Sequence, residues 1–257
     1  MTAATVAATG GNREIRVAVA GYRGKVGQEV ERAVEAAPDL LYVGGIGRGD
    51  PLEGFLSDRR PRVVVDFTHP SVALSNALAY VRSGASPVIG TSGWNDDALG
   101  QLERACQAAG LGGIVAPNFA VGAVLMIWLA EKAAPFFDAV EVIEMHAATK
   151  VDAPSGTALA TARSLAGRVG GSVPPAEKLL LEDARGGQVD GVHVHSVRLP
   201  GLVADQEIVF GLAGQTLTIA HRTTSREAFT PGVLLAVRRV VQEATFYRGL
   251  GPLLGLD

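Results

Sequence analysis

A chain of 257 residues with 23 lysines and arginines against 26 aspartates and glutamates carries a formal charge of −3, which leaves no electrostatic footprint for nucleic acid. Hydrophobic residues make up 47% of it and charged ones 19%, which excludes a disordered chain, while the 32 glycines exceed the average share of roughly 7% and point to many tight turns around a packed core. A single cysteine, Cys106, excludes an intramolecular disulfide and fits a reducing, cytoplasmic compartment.

Residues 1–13 lack the basic start and apolar stretch of a signal peptide and read as a mobile tail. Short β-branched runs then alternate with helical patterns. Ile15–Ala20 is a strand, Lys25–Ala37 a helix and Leu40–Ile46 a second strand. Arg62–Phe67, a helix after Pro70, Ser86–Gly90, a helix over Asn95–Ala109 and Gly113–Ala116 follow. Strands written as continuous apolar runs, separated by helices, predict a parallel sheet covered on both faces, a doubly wound α/β domain. The longest apolar run, Val121 to Ala130, is too short to span a bilayer, so no membrane partner is expected. Beyond Asp138 the texture changes, because Ala139–Met145, His193–Leu199, Gln206–Leu212 and Thr216–Arg222 alternate as strands, with one clear helix, Thr157–Val169, among them. Alternation predicts one covered face and antiparallel pairing, hence a second, α+β domain. Phe229–Val241 reads as a helix returning to the first domain. The organisation expected is a dinucleotide-binding domain over 14–118 and 228–257 and a substrate-binding domain over 119–227, with crossings near Asn118 and Arg226 and a cofactor cleft between.

The string Gly21-Tyr22-Arg23-Gly24-Lys25-Val26-Gly27 follows the first strand and opens the first helix. Gly21 suits a tight turn, Gly24 lets backbone approach a pyrophosphate, and Gly27 lets the helix pack closely, with the helix N–H groups facing the anion. An acid normally follows at the end of the second strand to bind the ribose hydroxyls. Here that stretch reads Gly44-Gly45-Ile46-Gly47-Arg48-Gly49-Asp50, with no acid at the strand end. Arg23, Lys25 and Arg48 would instead meet a 2′-phosphate, so NADPH is expected to be preferred, with NADH possible. Three further loops belong at the carboxyl ends of strands, where open sheets bind ligands: Phe67 and Thr68, then Gly90, Thr91 and Ser92, then Ala116, Pro117, Asn118 and Phe119.

The richest segment runs from Glu144 to Ala158. A strand ends at His146, Lys150 follows, and a turn holding Ser155, Gly156 and Thr157 opens a helix. The free N–H groups of that helix start, with the Thr157 hydroxyl and the Lys150 ammonium, form a site suited to a carboxylate. His146 is a candidate general acid, because imidazole exchanges protons near neutrality. Each residue alone has an ordinary structural reading; their convergence favours a site. Among His69, His193, His195 and His221 no pair has metal-ligand spacing backed by Cys or carboxylate partners, and His193 and His195 share one strand face, where a core or interface role is favoured over zinc, so no metal is expected.

GYRGKVG, VVVDFTHPSV, VIGTSGW, APNFAVGAVL, HAATKVDAPSGTA, VHSVRLPGLVA and FGLAGQTLTIAHRTTSREAFTPGVLLAV run in order from about Ile15 to Leu254. Together they resemble the 4-hydroxy-tetrahydrodipicolinate reductase family, also called dihydrodipicolinate reductase, of lysine and diaminopimelate biosynthesis. The resemblance implies a Rossmann-like domain plus an α+β substrate and oligomerisation domain, a homotetramer, and NAD(P)H-dependent reduction of a cyclic imine dicarboxylate. It implies His146 as catalytic acid and Lys150 as the catalytic, substrate-holding lysine. It also implies Gly156 and Thr157 as carboxylate binders, with Ser92 where a second threonine usually sits. Gly90, Thr91, Ala116 and Asn118 would frame the nicotinamide. Three positions depart from the family pattern: Ala147 replaces a second histidine, Asp205 stands where a histidine is usual, and Gly47 replaces the ribose acid. The alternatives are a paralogue acting on a related cyclic imine or enoyl substrate, and a catalytically silent NADP-binding homologue.

Overall fold

The computed structural model describes residues 14–171 and 178–256; the tail expected over residues 1–13 lies outside the described residues. The chain forms two compact units, one of residues up to Gly113 with Val237–Phe246, the other of Ile114–Ala236 with the segment from Tyr247 onward. Among the described residues no helix is long and apolar enough to cross a membrane.

The first part of the chain runs β1 (Ile15–Ala20), α1 (Lys25–Ala36), β2 (Leu40–Ile46), α2 (Leu52–Arg59), β3 (Val63–Asp66), α3 (Pro70–Arg82), β4 (Ser86–Ile89), α4 (Asp96–Ala109) and β5 (Gly113–Val115). It continues with α5 (Val121–Ala133), β6 (Ala139–Ala147), α6 (Gly156–Leu165), β7 (Gly187–Val189), β8 (Val192–Leu199), β9 (Ala204–Leu212) and β10 (Gln215–His221). Last come α7 (Thr230–Val240), β11 (Phe246–Arg248) and α8 (Leu250–Leu253). A six-stranded sheet has the order β11-β5-β4-β3-β1-β2. β1 lies parallel to both β2 and β3, and β3 parallel to β4. Val17–Ala20 and Val63–Val65 are fully buried, so both faces of these central strands are covered, as their unbroken apolar runs predict. The Rossmann-like, doubly wound reading holds, and the carboxyl ends of β1, β2 and β3 come together on one edge of the sheet.

The second sheet has the order β10-β9-β6-β8-β7. β6 pairs antiparallel with β9, and β9 with β10, but β6 pairs parallel with β8. The all-antiparallel expectation is therefore corrected to a mixed sheet. Alternation reports one covered face and says nothing of direction, and a long crossover carrying α6 separates β6 from β8. Val140, Val142, Val194, Ile208 and Phe210 cover one face with Ala158, Ala162 and Leu165 of α6. A ten-residue helix is not stable alone in water. Its position comes from this packing, where each fully buried Leu or Ile contributes about 1.5–3 kcal/mol. That packing fixes the place of the Ser155-Gly156-Thr157 helix start.

Two helices carry no clear sequence signal. In α2 only Leu56 is buried, so no periodic stripe marks it. The run from Val121 is apolar all round and forms α5. α6 stops at Leu165, short of the expected Val169, with Gly167 in the left-handed region at φ 69° just beyond.

Candidate active site

In the first unit, the glycine loop joins β1 to α1. Gly21 has φ 80°, and a Cβ there would lie 2.6 Å from the Phe67 carbonyl oxygen. A Cβ on Gly27 would lie 2.3 Å from the Gly21 oxygen, so helix and loop approach to a distance only glycine allows. Gly24 caps the twelve-residue α1 without any side-chain acceptor, leaving the first-turn N–H groups to a ligand. The loop borders a cavity of about 760 Å³ lined also by Arg48, Asp50, Phe67 and Thr68. Close-approach glycines, helix N–H donors and an arginine fit the pyrophosphate and ribose of a dinucleotide.

The strand end that lacks an acid is rebuilt by its neighbours. The Tyr22 ring lies so close to Gly45 that a Cβ there would be 2.2 Å from Tyr22 Cγ, and Arg23 Nε donates to the Tyr22 hydroxyl at 3.0 Å. Asp50 Oδ2 accepts the Gly47 N–H at 2.7 Å. Beyond the strand end, Asp50 turns back to Gly47 and lines the same cavity as Arg48.

Asp66, at the end of β3, is fully buried. Its Oδ1 accepts from the Thr68 N–H at 2.8 Å, the Thr68 hydroxyl at 2.6 Å and the Thr91 hydroxyl at 3.2 Å; its Oδ2 accepts from the Tyr80 hydroxyl at 2.7 Å. Burial, reinforced by the Asp66 charge, holds the Tyr80 phenol well above its ordinary pKa. One carboxylate therefore ties together the loops after β3 and β4. The Phe67 ring covers Gly90, where a Cβ would sit 2.1 Å from Phe67 Cε1.

In the second unit, His146 is the penultimate residue of β6, and its Nδ1 lies 2.5 Å from Glu144 Oε2. Glu144 is fully buried, and Arg198 clasps it with Nη1 to Oε2 at 2.9 Å and Nη2 to Oε1 at 2.8 Å. The Ser155 N–H adds a further donor at 3.2 Å. Burial pushes the Glu144 carboxyl up, but hydrogen bonds from Arg198, Ser196 and His146 outweigh it, and the group stays below the usual carboxylate range. A carboxylate accepts only, so His146 carries its proton on Nδ1, and Nε2 is left to exchange one with a ligand.

Ser155 is buried as the N-cap of α6, its hydroxyl oxygen accepting the Ala158 N–H at 3.1 Å. The N–H groups of Gly156 and Thr157 have no partner among the described residues. A cavity of about 180 Å³ is lined by His146, Thr157, Asn118, Asp205 and His221. A second, more apolar cavity of about 370 Å³ shares Asn118 and Thr157 and is lined also by Gly156, Trp128 and Leu250. Lys150 borders neither: its Nζ donates to both carboxylate oxygens of Asp152, at 2.6 and 2.7 Å.

Residues 15–119 match the family described as "Dihydrodipicolinate reductase, N-terminus", and residues 122–253 match "Dihydrodipicolinate reductase, C-terminus". The chain belongs to the dihydrodipicolinate reductase family. It is 48% identical over 245 residues to the 4-hydroxy-tetrahydrodipicolinate reductase of Mycolicibacterium vanbaalenii, covering 94% of this chain and 100% of that one. It is 49% identical over 247 residues to the Nocardia farcinica enzyme of that name, covering 94% and 99%. Among solved structures it is similar to the dipicolinate-bound dihydrodipicolinate reductase from Paenisporosarcina sp. TG-14, with a TM-score of 0.84, 37% identity, and coverage of 93% of this chain and 99% of that one.

Of the residues singled out from the sequence of this dihydrodipicolinate reductase family member, Gly21, Gly24, Arg48, Phe67 and Thr68 line one cavity. His146, Ser155, Thr157, Pro117 and Asn118 line another. Ser92 is exposed and lines none of these cavities, while Ala116 and Phe119 are buried. Sequence reasoning passed over Glu144, Arg198, Asp50, Asp66 and His221. The signal for Glu144 was present, since it stands two residues before His146 on the same strand face.

Proposed function

We propose that this chain catalyses NAD(P)H-dependent reduction of 4-hydroxy-tetrahydrodipicolinate to tetrahydrodipicolinate, the activity for which its relatives are named. The observation that carries this reading is the Glu144–His146 pair at the cavity that Thr157 and the α6 helix start also line. Loss of the 4-hydroxyl as water gives an unsaturated ring, and reduction adds a hydride at C4 and a proton at the neighbouring carbon. A bound nicotinamide supplies the hydride. His146 supplies the proton, directly or through a water, from Nε2, while Glu144 holds the ring in place through Nδ1. Gly156 and Thr157 donate their free N–H groups to a substrate carboxylate. Lys150 serves as the substrate-holding cation. Its pair with Asp152, whose side chain is 60% exposed, is screened by solvent and exchanges readily for a substrate carboxylate. Ser92 is assigned to the same substrate.

For the cofactor, the residues of the glycine loop, with Arg48, Phe67, Thr68, Gly90, Thr91, Ala116, Pro117, Asn118 and Phe119, are the proposed contacts. The NADPH preference suggested by the sequence rested on the lack of a carboxylate at the strand end. Asp50 supplies one, and it suits the ribose diol of NADH, while Arg23 and Arg48 suit a 2′-phosphate. Use of both cofactors, with a narrow NADPH preference, is the reading this cavity supports. Family membership also supports a cytoplasmic homotetramer, which light scattering tests. The deciding experiment is steady-state oxidation of NADPH with enzymatically generated 4-hydroxy-tetrahydrodipicolinate. A rate no higher than that of His146→Ala would remove the assignment.

A further inference from the structure

Asp205 lies across from Met145 of β6 in the β9 ladder and lines the cavity that holds His146. Its Oδ1 accepts the Thr223 N–H at 2.8 Å, just beyond the end of β10. Among the described residues no cation pairs with Asp205, and no lysine or arginine lines the cavity. The other titratable groups lining it are His146 and His221. His146 is bonded to Glu144, whose charge Arg198 already balances. His221 packs against Gly122, where a Cβ would lie 2.6 Å from the ring; burial lowers its pKa against the opposing pull of Asp205, so it brings no countercharge at neutral pH. The Asp205 side of the cavity is therefore an uncompensated acceptor. A substrate carboxylate placed there would meet like charge, whereas Thr157 and the start of α6 offer donors elsewhere in the same cavity.

We propose that Asp205 is the residue that reads the ring nitrogen, its carboxylate taking the N–H of a protonated cyclic imine, so that the pocket selects rings whose nitrogen is a cationic donor. The inference rests on the proposed assignment of this cavity to the substrate. It also serves the reaction. In a conjugated iminium the positive charge draws electrons from C4; when hydride adds there, the C3–C4 π pair moves toward C2 and the C=N pair settles on nitrogen. The nitrogen keeps its proton and the enamine is neutral, so the bond to Asp205 persists while the charge it balanced is discharged. His146 then protonates C3, returning the nitrogen to an iminium.

The test uses two ligands that share both carboxylates and differ at nitrogen: dipicolinate, whose pyridine nitrogen carries no proton at neutral pH, and piperidine-2,6-dicarboxylate, whose nitrogen is an ammonium. Each is titrated calorimetrically into the full chain with NADPH present, for wild type, Asp205→Asn and Asp205→His. Asp205→Asn keeps an oxygen for the Thr223 N–H. The preference for the piperidine ligand is expected to fall at least tenfold in Asp205→Asn and to reverse in Asp205→His. An unchanged preference in both variants, or an equal shift for both ligands, overturns the proposal and leaves Asp205 as a cap for Thr223. Failure of the wild type to bind either dicarboxylate overturns the substrate assignment and this inference with it.

Discussion

Glu144 Oε2 lies 2.5 Å from His146 Nδ1, and the carboxylate that makes this contact is gripped at both oxygens by Arg198. The arrangement is a chain of charges in which the arginine keeps the buried glutamate ionised and the glutamate fixes the imidazole tautomer. His146 and Arg198 are register partners on β6 and β8, so the parallel pairing of these strands is what brings the guanidinium to the site.

Replacing Glu144 by Gln keeps the shape and removes the charge. The expected outcome is a fall in kcat of roughly 10²-fold, the lower range for general acid catalysis, with KM for the substrate little changed. Arg198 would also lose the charge of its partner, at a cost of about 1–3 kcal/mol in stability. Steady-state kinetics alongside chemical denaturation separates the two. A rise in KM with kcat intact would show that Glu144 shapes the pocket and takes no part in proton transfer.

Asp50 offers a second separation. Asp50→Asn retains an acceptor for the Gly47 N–H but removes the charge proposed to hold the ribose diol. A charge-assisted hydrogen bond of about 1.5 kcal/mol corresponds to roughly a tenfold weaker Kd for NADH. NADPH, whose phosphate would sit by Arg23 and Arg48, should bind as well as before or more tightly. Fluorescence titration with both cofactors reads the ratio, and equal weakening of the two would assign Asp50 to loop structure alone.

Much of this architecture was legible in the residues. The central strands of the first sheet are unbroken apolar runs because both faces are covered, and the glycine loop stands where strand gives way to helix. His146 and the turn before α6 were legible because strand end and helix start are close in sequence. Arg198 was not, because it lies 54 residues from Glu144 and only strand register joins them. Asp50 was hidden by an assumption about position: a carboxylate three residues late reaches the strand end by folding back on the Gly47 N–H. Strand direction in the second sheet was hidden because alternation is the same for either direction.

Gly27 tests the cradle itself. In a helix interior Gly→Ala is worth up to about 1 kcal/mol in favour of alanine. Here the new Cβ would meet the Gly21 oxygen at 2.3 Å and Tyr22 Cα at 2.8 Å, and both are backbone atoms that cannot rotate away. Overpacking of this kind costs about 1–3 kcal/mol, so the clash wins. Gly27→Ala is expected to lower the melting temperature and to weaken NADH and NADPH alike. A variant more stable than wild type, with cofactor affinity intact, would show that α1 can retreat from the loop.

Acid stability separates the buried Glu144 from the half-buried His221 by the pH at which each begins to act. The pKa of Glu144 lies below its ordinary value of 4.5, because the hydrogen bonds outweigh the effect of burial. A depressed carboxylate pKa means that the unfolded chain binds the proton first, so the stabilisation is complete above about 4.5 and is lost as pH falls through the lower folded value. His221 is also depressed, from 6.5, by burial, so its neutral form favours folding and that contribution starts to fade once pH drops below 6.5. Denaturation of wild type, Glu144→Gln and His221→Gln across pH 7 to 3 should show the wild-type advantage over His221→Gln shrinking first, from about pH 6.5 downward. The advantage over Glu144→Gln should hold steady to about pH 4.5 and then narrow. A wild-type advantage over Glu144→Gln that fades already between pH 7 and 5 would mean that the Arg198 clasp does not keep Glu144 ionised in the folded protein.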